Sequence, residues 1–187
     1  ESYIGWGEPS DKSVGRFNSY WKGATSVVAK GDGSVKKKQT SFMAYSLIEN
    51  EKRILSELNS IHFPKLLGSD EGEIIVEDCG DPLIVKNMPY DWRSQLIEIL
   101  IELKSSKVIH RDIKPDNLMI KNGVIKLIDF GWARMEDDEE DLPPPTCLGY
   151  PYKPSWGFDD TFSMNRIIKQ YEFELEEKEN TLCESLA

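Results

Sequence analysis

The sequence predicts an α+β fold of two lobes, a small β-rich lobe followed by a mostly helical one. Three observations carry that expectation. Strand-like runs, with one helical run among them, fill the N-terminal part of the chain. Helix-spaced apolar residues dominate the remainder, around one short hairpin. Strands come first and helices after, so the two kinds of element segregate instead of alternating. A chain of 187 residues suits one domain of this kind, and 39% hydrophobic residues with five tryptophans supply its core. We expect a single domain over 1–187, with the first lobe at about 14–79, the second at about 80–170, and a C-terminal helix or tail at 171–187.

The elements follow in order. "ATSVVAK" and "SVKKKQT" flank "GDG". Asp-Gly between two β-prone runs signals a hairpin, although three loop residues loosen its register. "MAYSLIENEKRILSEL", Met43 to Leu58, sets Leu47, Ile48, Glu51, Ile54, Leu55 and Leu58 at helical spacing. "EIIVED", Glu73 to Asp78, reads as a buried strand that "CGDP" stops. "DWRSQLIEILIELKSS", Asp91 to Ser106, is a helix with Asp91 as N-cap and an apolar face of Leu96, Ile97, Leu100, Ile101 and Leu103. "GVIKLIDF" is a strand. "DLPPPTCLGYPYKP" is irregular, because proline blocks helix and ladder bonds alike. "DDTFSMNRIIKQYEFELEEKENTL" is a helix that turns polar, with Ile168, Tyr171, Leu175 and Leu182 as its apolar stripe. With fewer than three heptads, that stripe suits one amphipathic helix folded back on the domain; a coiled-coil or partner contact is the alternative.

Composition removes several function classes. A formal net charge of -10 argues against nucleic-acid binding by bulk charge. Two acid runs, Glu136 to Asp141 and Glu172 to Glu179, read as a solvated loop and a solvated helix face. Cys79, Cys147 and Cys183 show neither metal spacing nor a disulfide framework, which points to a reducing, intracellular and cytoplasmic setting. No apolar run is long enough to span a membrane, and no signal peptide is visible. The chain begins at Glu1 without Met, as expected of a piece of a longer protein.

The densest chemistry lies in "HRDIKPDNLMIKNGVIKLIDFG", His110 to Gly131. Asp112 lies five residues before Asn117, and Asp129 opens "DFG". Phosphoryl transfer needs a group to orient the attacking hydroxyl, ligands for a metal, a cation on the phosphates, and a means of holding that cation. Magnesium prefers hard oxygen ligands and takes few of them from protein, so one carboxylate and one amide serve. The pattern closely resembles the catalytic loop and metal-binding loop of eukaryotic-type protein kinases.

That resemblance covers roughly Gly23 to Ile168 and implies a kinase-like bilobal fold using ATP and Mg2+. It assigns Asp112 as the catalytic base and Lys114 as a contact to the γ-phosphate. Asn117 and Asp129 become the magnesium ligands. His110 would hold the backbone of the Asp-Phe-Gly turn, and Arg111 would meet a phosphate or acid in the segment after it. In "IENEKRILSELN", Glu51 matches the glutamate that pairs with the phosphate-binding lysine. Side chains alternate along a strand, and the family motif Val-Ala-Ile-Lys sets its alanine and lysine on one face toward the nucleotide, so the resemblance selects Lys37, with Val35 as the adenine-facing partner. Lys38 is the fallback, and Lys30 a weaker one.

Only Gly23 survives of the glycine-rich loop, where Ala24 to Ser26 offer backbone N–H groups and Val28 either roofs the adenine or is plain core. "IIVEDCG" resembles the strand leading into the hinge, with Val76 behind the adenine pocket and backbone groups of Glu77 and Cys79 on the adenine edge. Asp160, in "DDTFSMN", matches the aspartate that braces the catalytic-loop backbone. After "DFG" no Ala-Pro-Glu occurs, Thr146 is a candidate phosphosite, and the late helices of a full kinase domain are missing, so the C-lobe is expected to be truncated. The resemblance therefore implies a minimal or atypical Ser/Thr kinase-like domain. A kinase of a glycan or small-molecule hydroxyl is the alternative, and a nucleotide-binding pseudokinase or scaffold the second alternative.

Overall fold

The computed structural model describes residues 17–22, 26–31, 33–39, 42–138 and 159–186. The candidate phosphate loop at 23–25, Thr146 and the proline-rich stretch lie outside the described residues. The first lobe is a five-stranded antiparallel sheet, β1 (Phe17–Lys22), β2 (Ser26–Gly31), β3 (Ser34–Gln39), β4 (Leu66–Asp70) and β5 (Glu73–Glu77), in the order β1-β2-β3-β5-β4. Gly31 ends β2, so only Asp32 and Gly33 separate it from β3. The hairpin loop has two residues where three were expected, and the register is fixed with Lys30 opposite Val35 and Val28 opposite Lys37.

Helix α1 (Phe42–Glu57) crosses the sheet against β3, β4 and β5. Its buried positions Ile48, Glu51, Ile54 and Leu55 recur at intervals of three and four. One of those four is a carboxylate, which requires a partner at that depth.

The second lobe contains β6 (Asp81–Pro82), α2 (Trp92–Ser105), β7 (Val108–Ile109), β8 (Leu118–Lys121), β9 (Val124–Leu127), β10 (Arg134–Met135) and α3 (Asp160–Leu186). The β8–β9 hairpin turns on Asn122 and Gly123, both at positive φ (51° and 78°), as a two-residue turn of the type that matches strand twist requires. The fold is thus the kinase-like bilobal α+β arrangement expected from the sequence, with a small antiparallel sheet lobe and a helical lobe.

Two expectations about the helices need correction. Helix α2 buries Leu96, Ile99 and Leu103, whereas Ile97 and Ile101 are 45% and 57% exposed. The buried stripe follows an i, i+3, i+7 spacing, which turns residues one position on about 100° away from the core. Gln95 fixes that rotation. It is buried, its Nε2 donates to Gly123 O at 2.9 Å and to Asp91 Oδ1 at 2.8 Å, and its Oε1 accepts the Ile125 N–H at 2.8 Å. Asp91 does sit at the N-cap position, yet its carboxylate serves Gln95 and makes no cap bond to the backbone. In α3, Ile168 and Tyr171 are buried as expected, but Leu182 is 62% exposed. Tyr171 packs edge-on against Trp92 with ring centroids 6.0 Å apart, and its hydroxyl donates to Leu83 O at 3.4 Å.

One hydrophobic cluster runs through both lobes. Phe130 is its centre, 5.4 Å from the ring of Phe63 and 4.7 Å from that of His110, edge-on to both. Among the described residues no helix is long and apolar enough to cross a membrane.

Two glycines make a contrast that tests the packing of the link between β5 and β6 against β8. Gly80 has φ +88°, and a Cβ there would stand 2.1 Å from Ile120 O; Gly33 has φ +75° with nothing near it. Gly33→Ala should cost only the left-handed strain, about 1–2 kcal/mol. Gly80→Ala adds a backbone collision and should cost more than about 3 kcal/mol. Urea denaturation of both variants checks this; equal losses would contradict the close approach.

Candidate active site

The site starts from strand parity. Directly opposed residues on neighbouring strands share a face. Val28, Lys37 and Ile74 form one such row, and Val35 and Val76 are opposed in the next row on that face. Val28 and Val76 are buried and Val35 is half-buried. Lys36 points the other way and pairs with Glu73 at 2.6 Å. Lys38 is exposed, and Lys30 pairs with Asp78 at 3.0 Å. Of the four lysines it is Lys37 that meets Glu51, with its Nζ 2.8 Å from Oε1 and 3.0 Å from Oε2.

Glu51 also accepts the Phe130 N–H at 3.4 Å, which ties α1 to the Asp-Phe-Gly turn. Lys37 is paired with Glu51 and also feels the charge of Asp129. Removal from water acts to lower the lysine pKa, but Glu51 and Asp129 outweigh it and hold the ammonium above its ordinary value. For Glu51, removal from water dominates and pushes the carboxyl up against the pull of Lys37. Asp129 feels the same removal from water, yet Lys37 keeps its carboxyl below the ordinary range. With Lys37 bonded to Glu51 and influencing Asp129, two carboxylates draw on one half-buried ammonium and the site is short of positive charge.

The loop after β7 carries the remaining groups. Asp160, the first residue of α3, accepts the His110 N–H at 2.7 Å and the Arg111 N–H at 2.8 Å. Desolvation pushes its carboxyl up, and His110 and these two bonds oppose that rise. Arg111 and Asp129 both have positive φ, +69° and +68°, which is rare outside glycine and costs energy that the surroundings must offset. The Asp160 bracket holds the first of these. His110 helps hold the second: its Nε2 lies 3.1 Å from Ile128 O, just before Asp129, while its Nδ1 accepts the Asp112 N–H at 3.2 Å. Those contacts define a ring that donates through Nε2. Arg111 Nε donates to the Trp132 carbonyl at 2.6 Å.

Asp112 is buried, and its Oδ2 lies 3.1 Å from Lys114 Nζ and 3.2 Å from Asn117 Nδ2. Asn117 Nδ2 also donates to Asp112 O at 2.9 Å. With its amide nitrogen spent on Asp112, Asn117 keeps an oxygen for a cation. The Asn117 carbonyl accepts the Ile128 N–H at 2.9 Å, so the backbone of Asn117 is bonded directly beside Asp129. These donors fit magnesium: they are hard oxygens, few in number, and one is a carboxylate held ionised. Among the described residues no cluster of three or more His, Cys, Asp or Glu groups competes for a metal.

After β5, the Glu77 N–H is taken by Lys65 O at 2.8 Å. The Cys79 thiol lies 3.6 Å from the Glu77 carbonyl, and burial raises its pKa to about 11. Glu77 and Asp78 are gripped from both lobes. Lys126 reaches Glu77 at 3.2 Å, Lys121 donates to Asp78 O at 2.7 Å, and Lys30 pairs with Asp78.

Sequence reasoning missed Lys126, Gln95, Asn50 and Arg53. Asn50 Nδ2 donates to Gly131 O at 2.9 Å and Ala133 O at 2.6 Å, and Arg53 holds Asp138 with 2.9 and 2.8 Å bonds. Asp138 belongs to the acid run expected to be solvated; it is half-buried and paired. No local signal in the sequence reveals a pair separated by 85 residues.

Fold and site together define a two-lobed, kinase-like domain. The protein kinase domain family matches residues 84–152. The dual specificity protein kinase zak2 of Dictyostelium discoideum is 28% identical over 150 residues, covering 73% of this chain and 23% of that protein. Aurora kinase A-A of Xenopus laevis is 58% identical over 40 residues, covering 21% of this chain and 10% of the other. The serine/threonine-protein kinase SSK22 of Saccharomyces cerevisiae is 31% identical over 105 residues, covering 48% and 8%. The chain thus spans less than a quarter of the length of these relatives. These matches support membership of the eukaryotic-type protein kinase superfamily.

The Asp160 bracket gives a direct test. Asp160→Ala leaves two backbone N–H groups without acceptors and should destabilise the domain by about 3 kcal/mol. Asp160→Asn keeps one acceptor oxygen and should cost roughly half of that. Urea unfolding midpoints check both; an Ala variant as stable as wild type would contradict the bracket.

Proposed function

We propose that this domain transfers the γ-phosphate of ATP to a hydroxyl, with a serine or threonine of a protein as the acceptor. The observation that carries this reading is the buried Lys37–Glu51 pair, joined through the Phe130 N–H to the turn that bears Asp129. A lysine so placed, beside an ionised aspartate and a buried Asp112–Asn117 pair, is an arrangement for holding phosphates and metal next to a base.

In this reading Lys37 holds the inner phosphates and Glu51 fixes the lysine. Asn117 and Asp129 hold Mg2+, which neutralises phosphate charge when bound. Asp112 orients the acceptor hydroxyl and takes its proton as the new oxygen–phosphorus bond forms and the bond to the departing nucleoside diphosphate breaks. Lys114, beside Asp112, is placed for the γ-phosphate. The Glu77 carbonyl and the Cys79 N–H meet the adenine edge, with Val28 and Val35 as walls and Val76 behind. His110, Arg111 and Asp160 keep the loop in its strained form. The free cysteines Cys79 and Cys183 are compatible with a cytoplasmic setting.

A glycan or small-molecule acceptor would use the same groups. The lack of Ala-Pro-Glu after Asp-Phe-Gly favours that second reading, because no such protein-substrate element is recognisable there. A radiolabelled-phosphate assay with protein, self and glycan acceptors separates the two.

The same assay tests the roles. Asp112→Asn should leave Mg-ATP affinity nearly unchanged and reduce turnover about 10²–10⁴-fold, the usual share of a positioned acid–base group. Asp129→Asn should weaken Mg-ATP binding itself, since it removes a carboxylate from a cation with few protein ligands. Full phosphotransfer by Asp112→Asn would remove it from the base role. A wild type that binds ATP and modifies no acceptor would favour a nucleotide-binding scaffold.

A further inference from the structure

Glu51 does not hold α1 in place alone. Its bond to the Phe130 N–H is long, 3.4 Å, while the salt bridge to Lys37 tolerates little movement at 2.8 and 3.0 Å. Something else must set the distance between α1 and the segment that follows Asp129. On α1, Asn50 and Arg53 are three residues apart and so share a face next to the one that buries Glu51. Both hydrogens of the Asn50 amide have backbone acceptors, Gly131 O and Ala133 O. Its oxygen accepts from Arg53 Nη2 at 2.9 Å, which settles the orientation of the amide. Arg53 in turn donates through Nη1 and Nη2 to both oxygens of Asp138, and Asp138 Oδ2 accepts the Met135 N–H at 2.8 Å. The bonds form an unbroken chain from Asp138 to the carbonyls of the Asp-Phe-Gly turn.

We propose that Asn50, Arg53 and Asp138 form a clasp that fixes α1 against residues 129–138, making them positioning residues for the Lys37–Glu51 pair with charges already present in the unmodified chain. This rests on the phosphotransferase reading of the site. Chemically, a planar guanidinium matched to a carboxylate gives direction as well as attraction, and an ammonium in its place would not. The pair is partly exposed, so its contribution to overall stability is small. Its effect falls on geometry, because a small displacement of α1 breaks the salt bridge that Lys37 needs.

The test uses the whole chain and two readouts, steady-state kinetics and the ¹⁵N resonance of the Lys37 amino group. Arg53→Met and Asp138→Asn should each lower kcat about three- to tenfold, a coupling of the size seen between linked positions, with acceptor KM and melting temperature nearly unchanged. Both should move the Lys37 resonance toward that of Glu51→Gln. Asn50→Asp, which sets a carboxylate oxygen in place of the donor against two carbonyls, should do so more strongly. Combining Asp138→Asn with Glu51→Gln should add no further loss, since both act through one contact. Lys52→Ala, on the same helix and paired with Glu49 at 3.6 Å, is the control that should change nothing. An unmoved Lys37 resonance in both Arg53→Met and Asp138→Asn overturns the clasp, as does a rate loss that follows melting temperature alone. A wild type without transferase activity would defeat the phosphotransferase reading, and the Lys37 resonance would still decide the clasp: a shift supports it and no shift overturns it.

Discussion

Every other contact at this site is arranged around the ammonium of Lys37. A charge withdrawn from water is costly unless its partners are close and well aligned. Lys37 has both oxygens of Glu51 within 3.0 Å and feels the Asp129 carboxylate as well. The requirement then spreads outward. Glu51 must sit on an otherwise apolar face, so α1 must lie against the sheet. Asp129 must be held in a left-handed conformation, so His110 and its loop must be fixed, and Asp160 does that from the start of α3. A single buried cation thus dictates the relation between a strand of the first lobe, a helix beside it and a helix of the second.

Electrostatically the site is incomplete as the chain alone presents it. Two carboxylates share one lysine, and the shortage appears as a Glu51 carboxyl raised by burial while Asp129 stays ionised. A divalent cation beside Asp129 would redress that balance, and the polyphosphate it accompanies would in turn occupy Lys37.

Much of this was legible in the sequence, for identifiable reasons. His110, Arg111, Asp112, Asn117 and Asp129 are close in the chain, so their spacing alone describes a compact loop and hairpin. Lys37 followed from the family motif laid on the two-residue period of a strand, and Glu51 from its match to the family's helix glutamate, supported by its place on a stripe of leucines and isoleucines. The face of α2 was not legible, because isoleucines occupy both its buried and its exposed positions and only Gln95, bonded to the β8–β9 hairpin, sets the rotation. Asp138 was hidden for another reason. Within a run of acids nothing marks the one carboxylate that an arginine 85 residues away will hold.

The connection between the lobes carries a consequence of its own. Residues 77–78 take Lys30 from the first lobe and Lys121 and Lys126 from the second. Residues 77–78 are thus held by charge from both lobes, a hold that weakens as ionic strength rises. The close approach of Gly80 to Ile120 fixes the backbone beside it.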